Sequence, residues 1–386
     1  MTADTVRGLE NVVVATTGLS AIDGTAGRLS YAGFDIHDLA DRSSFEEVVY
    51  LLWHGELPSL RELGDFRARL AAERALSEDE LALVEGMPTA GHGMDALRTL
   101  VSGLAQLDAG ADALDPEEVE RIGVRLLAKM PTLIAAWDRR RRGDRPVAPD
   151  PELSHAANFL YMLRGERPSA AVARAFDTYL VLLAEHGLNA STFAARVAIG
   201  AGADVYCAIV AAIGTLKGLL HGGANQKAME TFLAIGEPER AEAHITELIA
   251  RRERLMGVGH RIYKVEDPRV RHLRVQVQAL GAESAGQWQA IADAVARVVA
   301  EHPHFTRRQL NPNVEFYSAP LLYMVGLPLD LFTAAFALSR IAGWMAHVRE
   351  QLADNRLIRP KADYDGPAPR QFVPIDERGQ AVEVGD

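Results

Sequence analysis

Helix-start signals recur along this chain with no strand–helix alternation between them, and that pattern constrains the fold most. Ser44 and Glu47 have the spacing of a capping box, and Phe45, Val48, Val49 and Leu52 follow at helical spacing. Gly55 and Pro58 end that run. Ser77 and Glu80 repeat the pattern ahead of Leu81 and Val84. At Asp115-Pro116-Glu117-Glu118 an N-cap residue, a proline and two acids mark a third start. Further helical periodicity covers 170–185, 191–200, 205–216, 226–234, 238–254, 284–301 and 329–352. Strand signals are confined to Val12-Val13-Val14 and Arg28-Leu29-Ser30-Tyr31, with Gly24 and Gly27 between them. A mainly α fold with a small N-terminal β-hairpin is therefore expected.

Composition narrows the class further. A chain of 386 residues, 48% hydrophobic, buries a core without disulfide or metal staples. Its formal net charge of -11 repels nucleic acid and anionic membrane, so neither is an expected partner. The longest apolar run, Val205–Leu216, is shorter than the roughly 20 residues of a membrane span. A second apolar region, 319–338, is interrupted by Pro328 and Asp330. The first 11 residues are polar, without a signal-peptide pattern. The single cysteine, Cys207, fits a reducing compartment, and its apolar surroundings predict a buried, inert thiol. The expected location is cytoplasmic. Residues 139–151, with five arginines, three prolines and a glycine, read as a solvated loop.

Phosphate-binding, zinc-protease and serine-hydrolase motifs are missing from the sequence. His302 and His304 alone make a weak metal signal. Three other histidines sit among glycines and small polar residues: His186 in 185–192, His221 in Leu220-His221-Gly222-Gly223-Ala224-Asn225, and His260 in 256–264. Glycine there permits close backbone approach to a ligand. His221 precedes a predicted helix, a position that favours a neutral imidazole able to donate one hydrogen bond. Arg269 follows in Asp267-Pro268-Arg269, and Arg340 lies amid apolar residues in 336–344. A buried guanidinium needs an anion, supplied either by an internal salt bridge or by a carboxylate ligand. Glu315, in Asn311-Pro312-Asn313-Val314-Glu315-Phe316, is either a helix-start carboxylate or a base made usable by desolvation.

Taken together, 185–193, 221–225, 257–269, 313–318 and 339–344, followed by 355–360, resemble the citrate synthase family in order and spacing. The match runs from about residue 8 to residue 375. The resemblance implies a citrate synthase-like two-domain helical fold and a homodimer. Its large domain would comprise 1–223 and 329–386, and its small domain 224–328, with closure over oxaloacetate completing the acyl-CoA site.

Carried over by residue, His221 would bind the thioester carbonyl, His260 would polarise the oxaloacetate ketone, and Glu315 would be the base. His186, Arg269 and Arg340 would hold oxaloacetate, joined by Arg359 from the second copy. Gly257, Val258, Gly259, Lys264 and Asn313 would line the coenzyme A site, with acetyl-CoA as co-substrate and no metal. The family's base is usually aspartate, and glutamate adds one methylene of reach here. Alternatives left open are a 2-methylcitrate synthase using propionyl-CoA and a slow or non-catalytic paralogue.

Overall fold

A computed structural model of the chain describes residues 6–283 and 286–378, so the predicted helix start at Ser284 lies outside the described residues. The chain divides into two units. The first joins the two termini, residues 6–16 and 358–378 among those described; the second is Thr17–Leu357. Among the described residues the terminal unit holds two short 3-10 turns, Arg7–Leu9 and Ile375–Glu377.

Seventeen α-helices occur among the described residues. In the first half they are α1 (Ile36–Arg42), α2 (Phe45–His54), α3 (Leu60–Glu73), α4 (Glu78–Gly86), α5 (Gly93–Gln106), α6 (Pro116–Arg141), α7 (His155–Arg164) and α8 (Ala170–Leu183). Then follow α9 (Ala190–Gly200), α10 (Val205–Leu216), α11 (Ala224–Ile235), α12 (Ala241–Ala250), α13 (Val270–Glu283), α14 (Gln287–Glu301), α15 (Pro303–Thr306), α16 (Val314–Met324) and α17 (Phe332–Ala353).

The capping signals work as their chemistry dictates. Ser44–Glu47 and Ser77–Glu80 form complete capping boxes at α2 and α4, and Asp115 accepts from the Glu118 amide at α6. Ser59 and Glu62 form a third box at α3, which the sequence reading passed over. The helix expected over 238–254 is shorter, a 3-10 turn at Pro238–Arg240 followed by α12.

The sheet is antiparallel and three-stranded: β1 (Ser20–Asp23), β2 (Arg28–Tyr31) and β3 (Phe34–Asp35). Ser20 pairs with Tyr31 and Asp23 with Arg28. This corrects the expected hairpin: Val12-Val13-Val14 is exposed and forms no strand. β propensity alone does not hold a strand that has no partner edge and no core to face.

α17 is the central element. It packs against α2, α5, α6, α8, α9 and α10, and its long side chains from Phe332 to Val348 are buried. With the turn before it, this helix is long and apolar enough to cross a membrane, but the whole apolar window is buried in protein. A second group forms around α16, which packs against α11, α13 and α14.

Two surface expectations change. The arginines at 139–142 end α6 instead of forming a solvated loop. Arg141 and Arg142 pair with fully buried Asp138, Arg141 also with Asp330, and Arg140 donates to the Met87 carbonyl. Cys207 is exposed, not buried. The Asp204 carboxylate and partial burial push its thiol up to about 11, so it keeps its proton at neutral pH.

Candidate active site

The site assembles from turns that enter helices. His221 lies in the tight turn before α11, where its amide donates to the Gly218 carbonyl and the Gly222 amide to the Leu216 carbonyl. His221 Nε2 is 2.8 Å from Ser191 Oγ. Ser191 is fully buried and also contacts Asn189 Oδ1 at 2.8 Å and Trp344 Nε1 at 3.1 Å. Trp344 can only donate, so the hydroxyl has one proton to give, to Asn189 or to His221. Burial, then the Arg340 charge, push His221 down to about 4, so its ring is neutral near pH 7. The cause is thus chiefly desolvation, where the sequence pointed to the helix end.

His260 is held by its own loop. Its Nδ1 accepts from the Ile262 and Tyr263 amides at 3.0 and 3.1 Å. That nitrogen therefore carries no proton, and in the neutral ring Nε2 is the donor. Burial, then Arg269, push His260 down to about 4. The loop rests on the sheet: Lys264 donates its amide to the Gly24 carbonyl at 2.9 Å, and a Cβ at Gly24 would stand 2.3 Å from the Ile262 oxygen. His186 is buried beside it, its Nε2 3.1 Å from Tyr263 Oη and its ring 5.6 Å from that of His260. Burial and the nearby Arg269 and Arg340 hold His186 well below its ordinary value.

The two arginines differ. Arg269 is buried and paired bidentately with buried Asp267, Nε to Oδ1 at 2.9 Å and Nη2 to Oδ2 at 2.6 Å. Arg340 is equally buried, yet no carboxylate pairs with it among the described residues. Its Nε donates to the Leu183 carbonyl at 2.7 Å, and its guanidinium lies 4.9 Å from the centre of the Phe336 ring. The internal salt bridge that the sequence allowed for Arg340 is not found among the described residues, whereas Arg269 already holds Asp267. Burial lowers the Arg340 pKa while Glu185 opposes the shift.

Glu315 occupies the first turn of α16, whose N-cap Asn313 accepts from the Glu315 amide at 3.1 Å. Part of its surface meets solvent, yet protein surrounds its carboxylate. Desolvation raises its pKa, with Arg269 and its own amide opposing. No side chain donates a hydrogen bond to its carboxylate among the described residues. A carboxylate so placed keeps basicity that a hydrogen-bonded one loses.

A β-bridge between Val258 and Pro312 joins the His260 turn to the start of α16. Gly257, at φ +84°, lies against the Phe316 backbone, where a Cβ would meet it at 3.0 Å. A cavity of about 910 Å³ opens beside this bridge, lined by Gly257, Val258, Gly259, His260 and Asn313. Arg252, Arg254 and Arg308 outnumber Glu253 among the charged lining residues, and Ile245, Leu248, Ile249 and Leu310 add apolar surface. That mixture suits a long ligand with an apolar arm and anionic groups. Lys264 is exposed and not among the lining residues. Arg359 belongs to the terminal unit.

The geometry thus brings together His186, His221, His260, Arg269, Arg340 and Glu315, whose charges act on one another. Sequence reasoning missed Ser191, Tyr263, Asp267 and Phe336 as partners. Three of the four lie inside the glycine-flanked segments or beside Arg269, so position alone pointed to them.

A family model for the C-terminal domain of citrate synthase matches residues 8–361. The citrate synthase of Haloferax volcanii is 47% identical over 385 residues, 98% of this chain and 100% of that relative. The crystal structure of citrate synthase from Pyrobaculum aerophilum is similar, with a TM-score of 0.90 and 40% identity over 97% of this chain and 95% of that one. Also similar is citrate synthase from Thermoplasma acidophilum in a ternary complex with carboxymethyl coenzyme A and oxaloacetate. Its TM-score is 0.90 and its identity 31%, over 96% of this chain and 98% of that one.

Proposed function

The chain belongs to the citrate synthase family, and from that premise we propose that it condenses acetyl-CoA with oxaloacetate and water to give citrate and coenzyme A. The observation that carries this reading is one carboxylate with a raised pKa set among neutral histidines and a buried arginine without a carboxylate partner among the described residues.

Oxaloacetate binds through Arg340, Arg269 and His186, the arginines taking its two carboxylates. His260 donates its Nε2 proton toward the ketone oxygen and polarises the carbonyl. Acetyl-CoA lies in the cavity along Gly257, Val258, Gly259 and Asn313, with Lys264 near its phosphates. Glu315 takes a proton from the methyl carbon. His221, a neutral ring, stabilises the enol oxygen by hydrogen bonding. The enol carbon attacks the ketone carbon, the new alkoxide takes the His260 proton, and water cleaves citryl-CoA to citrate and coenzyme A. The extra methylene of glutamate is accommodated by the backbone at the start of α16.

In this reading the active species is a cytoplasmic homodimer, with Arg359 of each copy reaching the site of the other. Residues 224–328 form a small domain that closes against a large one of 1–223 and 329–386. The packing of α16 with α11, α13 and α14 supports that grouping. Release of free thiol from acetyl-CoA or propionyl-CoA, with and without oxaloacetate, tests the reaction. Turnover must require oxaloacetate and run faster with acetyl-CoA; faster turnover with propionyl-CoA would make it a 2-methylcitrate synthase.

A further inference from the structure

The turns that carry His186 and His260 are both held by one strand of the sheet, β1. Ser20, at its start, donates its hydroxyl proton to Glu185 Oε1 and accepts from the Gly187 amide, each at 3.1 Å. Those are the residues immediately before and after His186. Gly24, just past its end, accepts from the Lys264 amide at 2.9 Å and lies against Ile262, both in the loop that carries His260.

β2 strengthens the first hold. Tyr31 stands opposite Ser20 in the strand pair, and its hydroxyl lies 3.0 Å from the Leu182 carbonyl and 2.8 Å from that of Glu185. Ile22 shares a face of β1 with Ser20 and packs on Gly187, where a Cβ would stand 3.2 Å from its Cδ1. None of these contacts is made to the His186 ring. Its backbone is fixed, while its nitrogens are left to Tyr263 and to a ligand.

The ladder makes the strand a spacer. Ser20 pairs with Tyr31 and Asp23 with Arg28, so β1 is paired along its whole length. A paired strand has a fixed rise of about 3.3 Å per residue. It cannot slip by one residue without turning every side chain to the other face. The separation between its two contact points is therefore set. Turns are otherwise the mobile parts of a fold, and a misplacement of about 1 Å can cost about 100-fold in rate. The two rings so held stand 5.6 Å apart, edge to face.

We propose that β1 is the spacer of the oxaloacetate site, with Ser20 the positioning residue that orients His186 and Gly24 the one that seats the His260 loop. The inference rests on the reading that both histidines hold oxaloacetate. The two ends of the strand should then fail differently. Loss at Ser20 weakens capture of the ligand, and crowding at Gly24 spoils polarisation of its ketone.

Steady-state thiol release by the full chain tests this, with oxaloacetate and acetyl-CoA varied in turn. Ser20→Ala removes the hydroxyl that serves Glu185 and Gly187, whereas Ser20→Thr keeps a hydroxyl and suits a strand. Ser20→Ala should raise the KM for oxaloacetate about tenfold, for two lost hydrogen bonds, and leave the KM for acetyl-CoA unmoved. Ser20→Thr should restore the wild-type value. A residue that only braced the fold would lower the melting temperature and leave both KM values alone, or raise both together; either result overturns the proposal. Tyr31→Phe is the second arm, should Ser20→Ala not fold, and should show the same selective rise. Both KM values at wild type there overturn it equally.

Gly24→Ala puts a methyl 2.3 Å from the Ile262 oxygen, and should lower kcat by about tenfold or more. Full kcat in that variant overturns the role given to Gly24. Wild type without oxaloacetate-dependent turnover would remove the underlying reading, and this inference with it.

Discussion

Asn313 Nδ2 donates to the Gly259 carbonyl at 2.8 Å and ties the turn bearing His260 to the helix bearing Glu315. The backbone reinforces the tie: Gly259 donates to the Asn311 carbonyl at 2.7 Å, and Asn313 to that of Gly257 at 2.9 Å. Glu315 and His260 are thus held by one short ladder.

Asn313→Ala removes both that donor and the α16 cap, costing about 1 kcal/mol. Asn313→Asp keeps the cap and loses the donor. We expect near-wild-type melting for the aspartate variant, with turnover reduced in both. Melting curves beside thiol-release assays check this; an aspartate variant at full kcat would show that the tie does not matter.

The acid limb of the pH–rate profile should belong to Glu315. Burial raises its carboxyl, so the base is lost on acidification at a higher pH than an exposed glutamate would give. His221 and His260 are pushed to about 4 and stay neutral above that. Activity should therefore rise with pH through one ionisation and then level off. Glu315→Gln should abolish turnover with the fold intact, and Glu315→Asp should slow it by about 100-fold. A limb that survives a change of base would assign it to another group.

Buried neutral histidines predict acid sensitivity of the fold. His155 is pushed to about 3 by burial and then Arg74, and His221 and His260 to about 4. The unfolded chain binds these protons near the ordinary histidine value, about 6.5. Between those values the unfolded state holds more protons, so stability falls as pH falls through that window. Denaturant midpoints measured at several pH values should show this. His155→Phe, away from the site, should flatten the slope.

Asp177 carries the opposite sign. Burial, then Glu46, push it up to about 7, so the folded state keeps a proton that the unfolded state releases near the ordinary aspartate value of 3.8. Stability is lost as pH rises through that interval. Asp177→Asn keeps an oxygen for the Phe45 amide, which Asp177 accepts at 3.1 Å. Its melting temperature should gain on wild type at alkaline pH and not at acid pH; an equal gain at both would remove titration as the cause.

How much was legible depends on the distance between partners in the chain. Capping boxes join residues three apart, so Ser44–Glu47 and Ser77–Glu80 could be read directly. The glycine-flanked histidines and the arginines were legible as motifs, and their resemblance to one family carried the function. α13 was passed over, although Val270, Leu273, Val277 and Leu280 fall at helical spacing and are buried; the charged residues between them masked the stripe. The valines at 12–14 misled, since propensity says nothing about whether a partner edge exists.

By itself the sequence determined the helical class, the helix starts, the three histidines and the candidate base, all signals carried by near neighbours. Only the tertiary structure decided which arginine is already paired, which nitrogen of His260 holds the proton, and that Glu185 meets His347 across 162 residues. The contacts of Arg269 and His260 are made within three residues and are fixed by loop geometry and burial, whereas the Glu185–His347 contact joins distant segments. Packing brings such segments together, and desolvation then sets the charge that each group can keep.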